Sequence, residues 1–283
     1  MDSNMERPTM EQQAVAYQRD GAVVLRGVVS SAEIESLRRG IDRVVERPSS
    51  RAQVASSSDD PGFFIEDFCR WRDIGEFSEF VLGSRLAGIA ADLMQSEVVT
   101  HYHDHVLVKE PGTRQRTPWH QDQPYYDVDG RQNVSFWIPV DPVPRSACLE
   151  LVAGSHRGSW YMPRTFLDHQ AKWFPEGSLE ELPDVEALRH ETDPEGRPRL
   201  VSWDLAPGDA IAFHMLTIHG APGALGPGRR RVFSWRVLGD DMVYVRRPWV
   251  TSPDLDAVLG DDASRIPGEP LSGDWFPVLW PRR

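Results

Sequence analysis

Between residues 97 and 240 the sequence breaks into short β-rich runs, each long enough to cross a sheet once. They are Val98–Val108, Val134–Val140, Leu149–Val152, Leu200–Leu205, Ala210–His214 and Arg231–Leu238, separated by glycine, proline and aspartate. β-Branched and aromatic residues suit a pleated surface, and the turn formers between the runs stop each strand early. Upstream the period changes. Glu11–Arg19 reads as a short helix followed by a strand at Ala22–Leu25. Ser30 and Glu33 offer a capping box, after which Ile34, Leu37, Ile41, Val44 and Val45 keep helical spacing until Pro48. Residues 49–60 read as a mobile loop, and Phe80, Leu82, Leu86, Ile89, Ala90 and Leu93 fit a second amphipathic helix. Helices first, then many short strands, predict a mainly β sandwich or barrel with flanking N-terminal α-helices. No internal repeat is visible. The expected organisation is a single domain over 1–283. It has a helical flank (1–95), a β core (97–240) interrupted by an insert (157–200), and a C-terminal wrap (241–283) carrying Trp249, Trp275 and Trp280.

Charge narrows the partners. Asp and Glu number 43 against 31 Lys and Arg, a formal net charge of −12, whereas phosphate backbones call for a basic face. Nucleic acid is therefore not an expected partner, and a small molecule is favoured over a large polyanion. The opening MDSNMERPTMEQQ has no apolar core of the kind a signal segment needs, and no apolar run reaches membrane-spanning length. The expectation is a cytoplasmic protein with no membrane partner, and a homodimer is left open. Cys69 and Cys148 are far apart and form no CxxC, so neither a disulfide framework nor a thiolate metal site is indicated.

The chemistry-bearing residues are few. His120 and Asp122 stand two apart on what reads as an extended segment, which puts both side chains on one side. A third ligand has to come from a neighbouring strand, and His219, closing a candidate strand Asp209–His219, is placed to supply it. Two imidazoles and a carboxylate on one face of an octahedron suit Fe(II) with open positions for a chelating cosubstrate and O₂. His-x-Asp by itself is also a common turn or surface pair, so order and surroundings give it weight. Arg230 follows a Gly/Pro-rich loop, GAPGALGPG, and re-enters a strand on which Arg230, Val232 and Ser234 share one face. A planar guanidinium there would hold a carboxylate bidentately. The plain alternative is that Arg229, Arg230 and Arg231 are all surface charge.

Taken together, KEPGTRQRTPWHQD (109–122), FWIPVD (136–141), LELVAGSH (149–156), PGDAIAFHMLTIHG (207–220) and RRRVFS (229–234) resemble the phytanoyl-CoA dioxygenase family. The likeness runs from about residue 15 to 240 and takes in YQRDGAVVLRGVVS. It implies a double-stranded β-helix, the jelly-roll or cupin-like fold. It also implies a mononuclear iron(II) oxygenase that uses 2-oxoglutarate and O₂ on a small organic molecule. The resemblance carries the iron ligands to His120, Asp122 and His219 and the 2-oxoglutarate arginine to Arg230. Trp137 matches a position that contacts the cosubstrate in some members, and Ser234 lies near the arginine. Relatives often carry serine two residues after the distal histidine, where this chain has Ala221. Asp122 is retained where halogenating relatives have a small residue, so hydroxylation is favoured over halogenation. A catalytically silent jelly-roll binding protein, and an oxygenase with a desaturation or epimerisation outcome, are the alternatives.

Other residues remain open between two readings. His101, His103 and His105 alternate on one predicted strand and are either a metal cluster, a cavity lining with His103 toward the cosubstrate, or chance. Lys109 reads as a cavity residue or a surface ion pair, and His156, ending GSH, as a structural hydrogen-bonding group. Gln123, Tyr125 and Tyr126 follow the metal motif and are expected to rim it, with packing as the alternative for the tyrosines. Within the insert, Trp160 and Arg164 head a mix of aromatic and basic residues suited to a substrate with apolar bulk and a carboxylate. A cover over the barrel is the competing role. Asp127–Gly130 lacks the later ligands of a calcium loop and reads as a turn.

Overall fold

The computed structural model describes residues 8–162, 179–224, 226–259 and 265–281. In chain order the elements are α1 (Met10–Asp20), β1 (Ala22–Leu25), α2 (Ser31–Glu46), β2 (Gln53–Val54), β3 (Phe64–Phe68), α3 (Gly75–Gly83), α4 (Leu86–Met94) and β4 (Val99–Lys109). There follow β5 (Thr117–His120), β6 (Val128–Asp129), β7 (Asn133–Pro139), β8 (Glu150–Val152), β9 (Leu200–Val201) and β10 (Ala210–Phe213). The chain closes with β11 (His219–Ala221), β12 (Arg230–Leu238), β13 (Val243–Tyr244), α5 (Leu255–Leu259) and β14 (Val278–Trp280).

Two antiparallel sheets form the jelly roll. The larger has eight strands in the order β1-β10-β7-β12-β4-β3-β2, with β14 paired to β4, and the smaller runs β5-β11-β8-β9. Trp137, Phe213 and Val232 of the large sheet share a core with Leu151 and Ala221 of the small one, so the sheets face each other. Strand alternation sorts the large sheet into two faces. Val106, Val108, Phe136, Ile138, Phe233 and Trp235 go outward, under the helices. Phe77 meets Phe233 at 4.7 Å and Phe80 meets Trp235 at 5.8 Å between ring centroids. Burying side chains of this size contributes roughly 1.5–3 kcal/mol each, so the helical layer anchors the sheet from outside and leaves its inner face for chemistry.

The capping boxes form as the sequence dictates. Ser30 accepts from the Glu33 amide while Glu33 returns a bond to the Ser30 amide, and Thr9 with Gln12 does the same for α1. Several expectations change. The predicted second helix is two, because Ser84 adopts an extended conformation (φ −64°, ψ 139°) between α3 and α4. The N-terminal flank holds more strand than expected: β1 forms at Ala22–Leu25 as read, but β3 also joins the large sheet, and the segment read as a mobile loop contributes β2. The strand predicted at Asp209–His219 is two strands in different sheets, β10 and β11, and Val128–Asp129 of the predicted turn pairs with β13. No helix among the described residues is long and apolar enough to cross a membrane.

Candidate metal centre and cosubstrate cavity

The site begins with one strand pairing. β11 runs antiparallel to β5, and His219 stands directly opposite His120. Directly opposed residues project from the same face of a pair, and the two imidazole centroids are 4.2 Å apart. The chain then leaves the strand: Asp122 has φ −74° and ψ −47° and opens a 3-10 turn at Gln123–Tyr125. The amides of Asp122 and Gln123 both donate to the Met215 carbonyl, at 2.8 and 3.0 Å, which pins the turn beneath β11. The extended i, i+2 geometry expected for His120 and Asp122 therefore ends at Gln121. A turn delivers the carboxylate instead, and Asp122 Oδ1 lies 3.6 Å from His120 Nε2 and 3.7 Å from His219 Nε2. One ligand atom from each of the three residues falls within 4.8 Å of the others, and no other group of three His, Cys, Asp or Glu does so among the described residues.

Hydrogen bonds behind the ligands set which atoms face inward. His120 Nδ1 lies 2.8 Å from the Pro118 carbonyl and His219 Nδ1 lies 2.8 Å from the Thr217 carbonyl. A carbonyl only accepts, so each Nδ1 carries the proton and each Nε2 presents a lone pair. Asp122 Oδ2 accepts from Ser135 Oγ at 2.9 Å and from Arg236 Nη2 at 3.2 Å, leaving Oδ1 toward the imidazoles. Burial works to raise the Asp122 pKa, but the Arg236 charge and the two histidines outweigh it and hold the carboxyl well below its usual range. Burial, with the neighbouring His120, pushes His219 down to about 3. Two inward-facing imidazole nitrogens and an ionised carboxylate oxygen are a donor set that fits a divalent ion of the iron or zinc kind.

The triad forms part of the wall of a cavity between the sheets, whose far wall is the inner face of the large sheet. Arg230 is buried there. Its Nη1 donates to the Ala147 carbonyl, its Nη2 donates to the Pro222 carbonyl at 3.2 Å, and its guanidinium lies 5.9 Å from the Trp137 ring. Burial pulls it down to about 10, so it stays charged at neutral pH. Lys109 is its direct partner in the β4–β12 register, and its ammonium donates to the Gln115 and Pro222 carbonyls and to Thr117 Oγ1. Arg229 and Arg231 lie on the other face, paired with Glu110, Asp42 and Asp141. The alternation of β12 thus places Arg230, Val232, Ser234 and Arg236 on the cavity wall.

Trp137, Ser234, Tyr125 and Tyr126 line the cavity, as does Ala221. His103 does not: it is buried one pair beyond, its ring 4.9 Å from Tyr126, and His105 takes the lining position. A register shift between Arg236 and Val237 turns His101 to the outer face, where Trp235 Nε1 donates to it at 2.8 Å. The three histidines therefore form no cluster. Gln123 is buried against backbone, donating to the Gly130 carbonyl at 3.1 Å and accepting from Asn133, and is not on the wall. Trp160 lies over the Arg247 guanidinium at 5.0 Å, outside the cavity, and Arg164 lies outside the described residues. His156 lies 3.2 Å from the Gln18 carbonyl, a structural contact to α1.

Two charged wall residues, Arg236 and Glu66, escaped the sequence reading, and His105 takes the lining place that was one of the readings of the histidine run. Arg236 shares strand parity with Arg230 and Ser234, a signal that was present. Glu66 alternates with Phe64 and Phe68 in FFIEDF, yet that segment sits within a stretch read as helical flank.

The family model for phytanoyl-CoA dioxygenase matches residues 17–232 of this sequence. Human peroxisomal phytanoyl-CoA dioxygenase is 22% identical over 250 residues, covering 84% of this chain and 70% of that protein. Ectoine dioxygenase of Sphingopyxis alaskensis is 24% identical over 236 residues, covering 78% and 73%. Among solved structures, the non-heme alpha-ketoglutarate-dependent epimerase SnoN from nogalamycin biosynthesis superposes with a TM-score of 0.71 at 22% identity, covering 97% of this chain and 96% of that one. The carbocyclase SnoK from the same biosynthesis gives 0.71 at 22% identity, covering 97% and 100%.

Proposed function

The chain belongs to the phytanoyl-CoA dioxygenase family, and from that premise we propose that it is an iron(II)- and 2-oxoglutarate-dependent oxygenase that hydroxylates a small organic substrate. The observation that carries the reading is the pairing of two features across one cavity. On one wall, two Nε2 lone pairs and one carboxylate oxygen converge; on the other, a buried guanidinium is bonded only to carbonyls. His120, Asp122 and His219 would hold the metal, and Arg230 would take the distal carboxylate of the cosubstrate. When bound, ferrous iron would activate O₂, the oxidant, so that decarboxylation of 2-oxoglutarate to succinate is coupled to oxidation of a substrate C–H.

The protein's own part is positioning. The Pro118 and Thr217 carbonyls keep both imidazoles in the tautomer that presents Nε2. Ser135 and Arg236 hold Asp122 by one oxygen and leave the other for the metal. Arg230, bonded only to neutral carbonyls, retains an uncompensated charge that a carboxylate would satisfy, and charge-assisted bonds of this kind are about twice as strong as neutral ones. Trp137, Val232 and Phe213 make that part of the wall apolar, which excludes water and strengthens each of these contacts.

The test is an anaerobic titration of the full chain with Fe(II) and then 2-oxoglutarate. A weak visible charge-transfer band is expected; a chain that stays colourless and binds no cosubstrate would support the silent-binder reading instead. An epimerase and a carbocyclase stand among the solved neighbours, which favours a second reading in which the same oxidising step ends in epimerisation or ring closure. Mass analysis of the product distinguishes them, since only hydroxylation adds an oxygen atom.

A further inference from the structure

We infer that the substrate carries a protonated nitrogen, a basic amine on an apolar body, which docks against the carboxylate of Glu66. The claim rests on the oxygenase reading only in calling the ligand a substrate; the docking contact itself follows from the cavity. Glu66 lies on β3, between Phe64 and Phe68 on the same strand face, and all three line the cavity that holds the metal ligands. It is 4% exposed. One carboxylate oxygen, Oε2, lies 3.2 Å from His105 Nε2, and Oε1 has no hydrogen-bond partner among the described residues.

An ionised carboxylate taken out of water costs several kcal/mol unless a counter-charge accompanies it. None of the cavity's own cations donates a hydrogen bond to Glu66, although Lys109 acts on it through its charge. Lys109 spends its donors on the Gln115 and Pro222 carbonyls and Thr117 Oγ1; Arg230 is held by the Ala147 and Pro222 carbonyls, and Arg236 is paired with Asp122. His105 does not neutralise Glu66 either. Burial outweighs the neighbouring carboxylate and lowers its pKa, and its ring is fixed by stacking on Phe68 at 4.0 Å. His105 therefore orients the carboxylate through a neutral N–H, adds no charge of its own, and leaves Oε1 for a donor on the ligand.

The surroundings choose the kind of cation. Tyr125 and Tyr126 share the cavity with Glu66, whereas the Phe64 ring already carries the Lys109 ammonium at 4.4 Å and the Phe68 ring the stacked His105. Aromatic faces attract ammonium groups and bury hydrocarbon at the same time. A neutral hydroxyl donor would satisfy the hydrogen bond but leave the charge, and an anion would be repelled. The expected substrate charge is opposite to the carboxylate anticipated from the basic insert.

The experiment compares three probes on one skeleton: 2-phenylethylamine, 2-phenylethanol and 3-phenylpropanoate. The amine and the alcohol are titrated by ligand-detected NMR and calorimetry into the full chain, metal-free and again loaded with Zn(II) and 2-oxoglutarate; the carboxylate is titrated only into the loaded chain, where Arg230 is occupied. The amine is expected to bind at least tenfold tighter than the alcohol and tighter still than the carboxylate. Glu66→Gln is expected to erase that preference, with its unfolding midpoint measured to check folding. Equal or stronger binding of the alcohol or the carboxylate, no preference among the three, or a folded Glu66→Gln that keeps the amine preference overturns the inference. The comparison on the unaltered chain stands even if the variant does not fold. Failure of the chain to bind 2-oxoglutarate would instead sink the oxygenase reading, and the metal-free arm separates the two.

Discussion

The Arg236 guanidinium lies 3.2 Å from Asp122 Oδ2, while Asp122 Oδ1 faces the Nε2 atoms of His120 and His219 at 3.6 and 3.7 Å. Both partners are buried, so the pair is a charge balance that each member needs. Replacing Asp122 by alanine strands a buried arginine, which destabilises proteins by about 3–5 kcal/mol. In metal-free protein Asp122→Ala is expected to lower the denaturant midpoint accordingly, and adding Arg236→Met is expected to restore most of the loss. A double variant no more stable than Asp122→Ala would show that the pair is not coupled.

Arg230 makes a separable prediction. Arg230→Ala is expected to weaken 2-oxoglutarate binding by about 2–5 kcal/mol, roughly 30-fold to several thousand-fold, the range found when one partner of a buried charge pair is removed. Metal affinity, measured by calorimetry with Mn(II), is expected to stay within a few-fold, because Arg230 touches none of the three ligands. Normal cosubstrate affinity in this variant would show that the anchor lies elsewhere.

Acid sensitivity follows from buried histidines. Burial depresses His101 and His214 to about 3 and His156 to about 4, and lowers His103 and His105 as well. In the unfolded chain histidine titrates near ~6.5, so between about 3 and 6.5 the unfolded state binds more protons. Stability is therefore lost as pH falls through that window, at up to ~1.4 kcal/mol per pH unit for each fully buried imidazole. Asp104, raised by burial to about 6, works the other way between about 4 and 6, but the histidines outnumber it. Denaturant midpoints of metal-free protein are expected to fall from pH 7 to pH 5; a flat or rising midpoint would contradict this account.

Gly21 ends α1 with φ +71°, and a Cβ built there would stand 2.3 Å from the His156 ring and 2.6 Å from Thr217 Oγ1. Gly21→Ala combines left-handed strain with a clash in a packed contact, together about 2–4 kcal/mol. Thermal unfolding is expected to shift down by several degrees, with the cavity's binding properties kept in whatever fraction remains folded.

The sequence was legible where a pattern is local. Capping boxes at Thr9 and Ser30, the alternation of β4, β7 and β12, and the inward parity of Arg230, Val232 and Ser234 all depend on residues within a few positions of one another. His103 was misplaced against His105 because strand parity gives a face and not a depth along it. His101 was misplaced because a β-bulge reverses parity and leaves no mark in composition. Gln123 and Trp160 follow or precede motif residues closely, yet each finds a backbone or guanidinium partner away from the cavity.

By itself the sequence determined the two hydropathy periods, hence helices outside and a β core within, and the chemical identity of the candidate metal donors and of the arginine proposed as the anchor. Only the tertiary structure decided that β11 pairs with β5 in the register that sets His219 opposite His120, and that a turn aims Asp122 at both. It also decided that β3, from the helical flank, brings Glu66 to the same cavity. The physical reason is range. Periodicity and capping are settled by neighbours along the chain, whereas pairing register and the burial of a polar side chain in a distant strand's cavity are settled by the whole core packing at once.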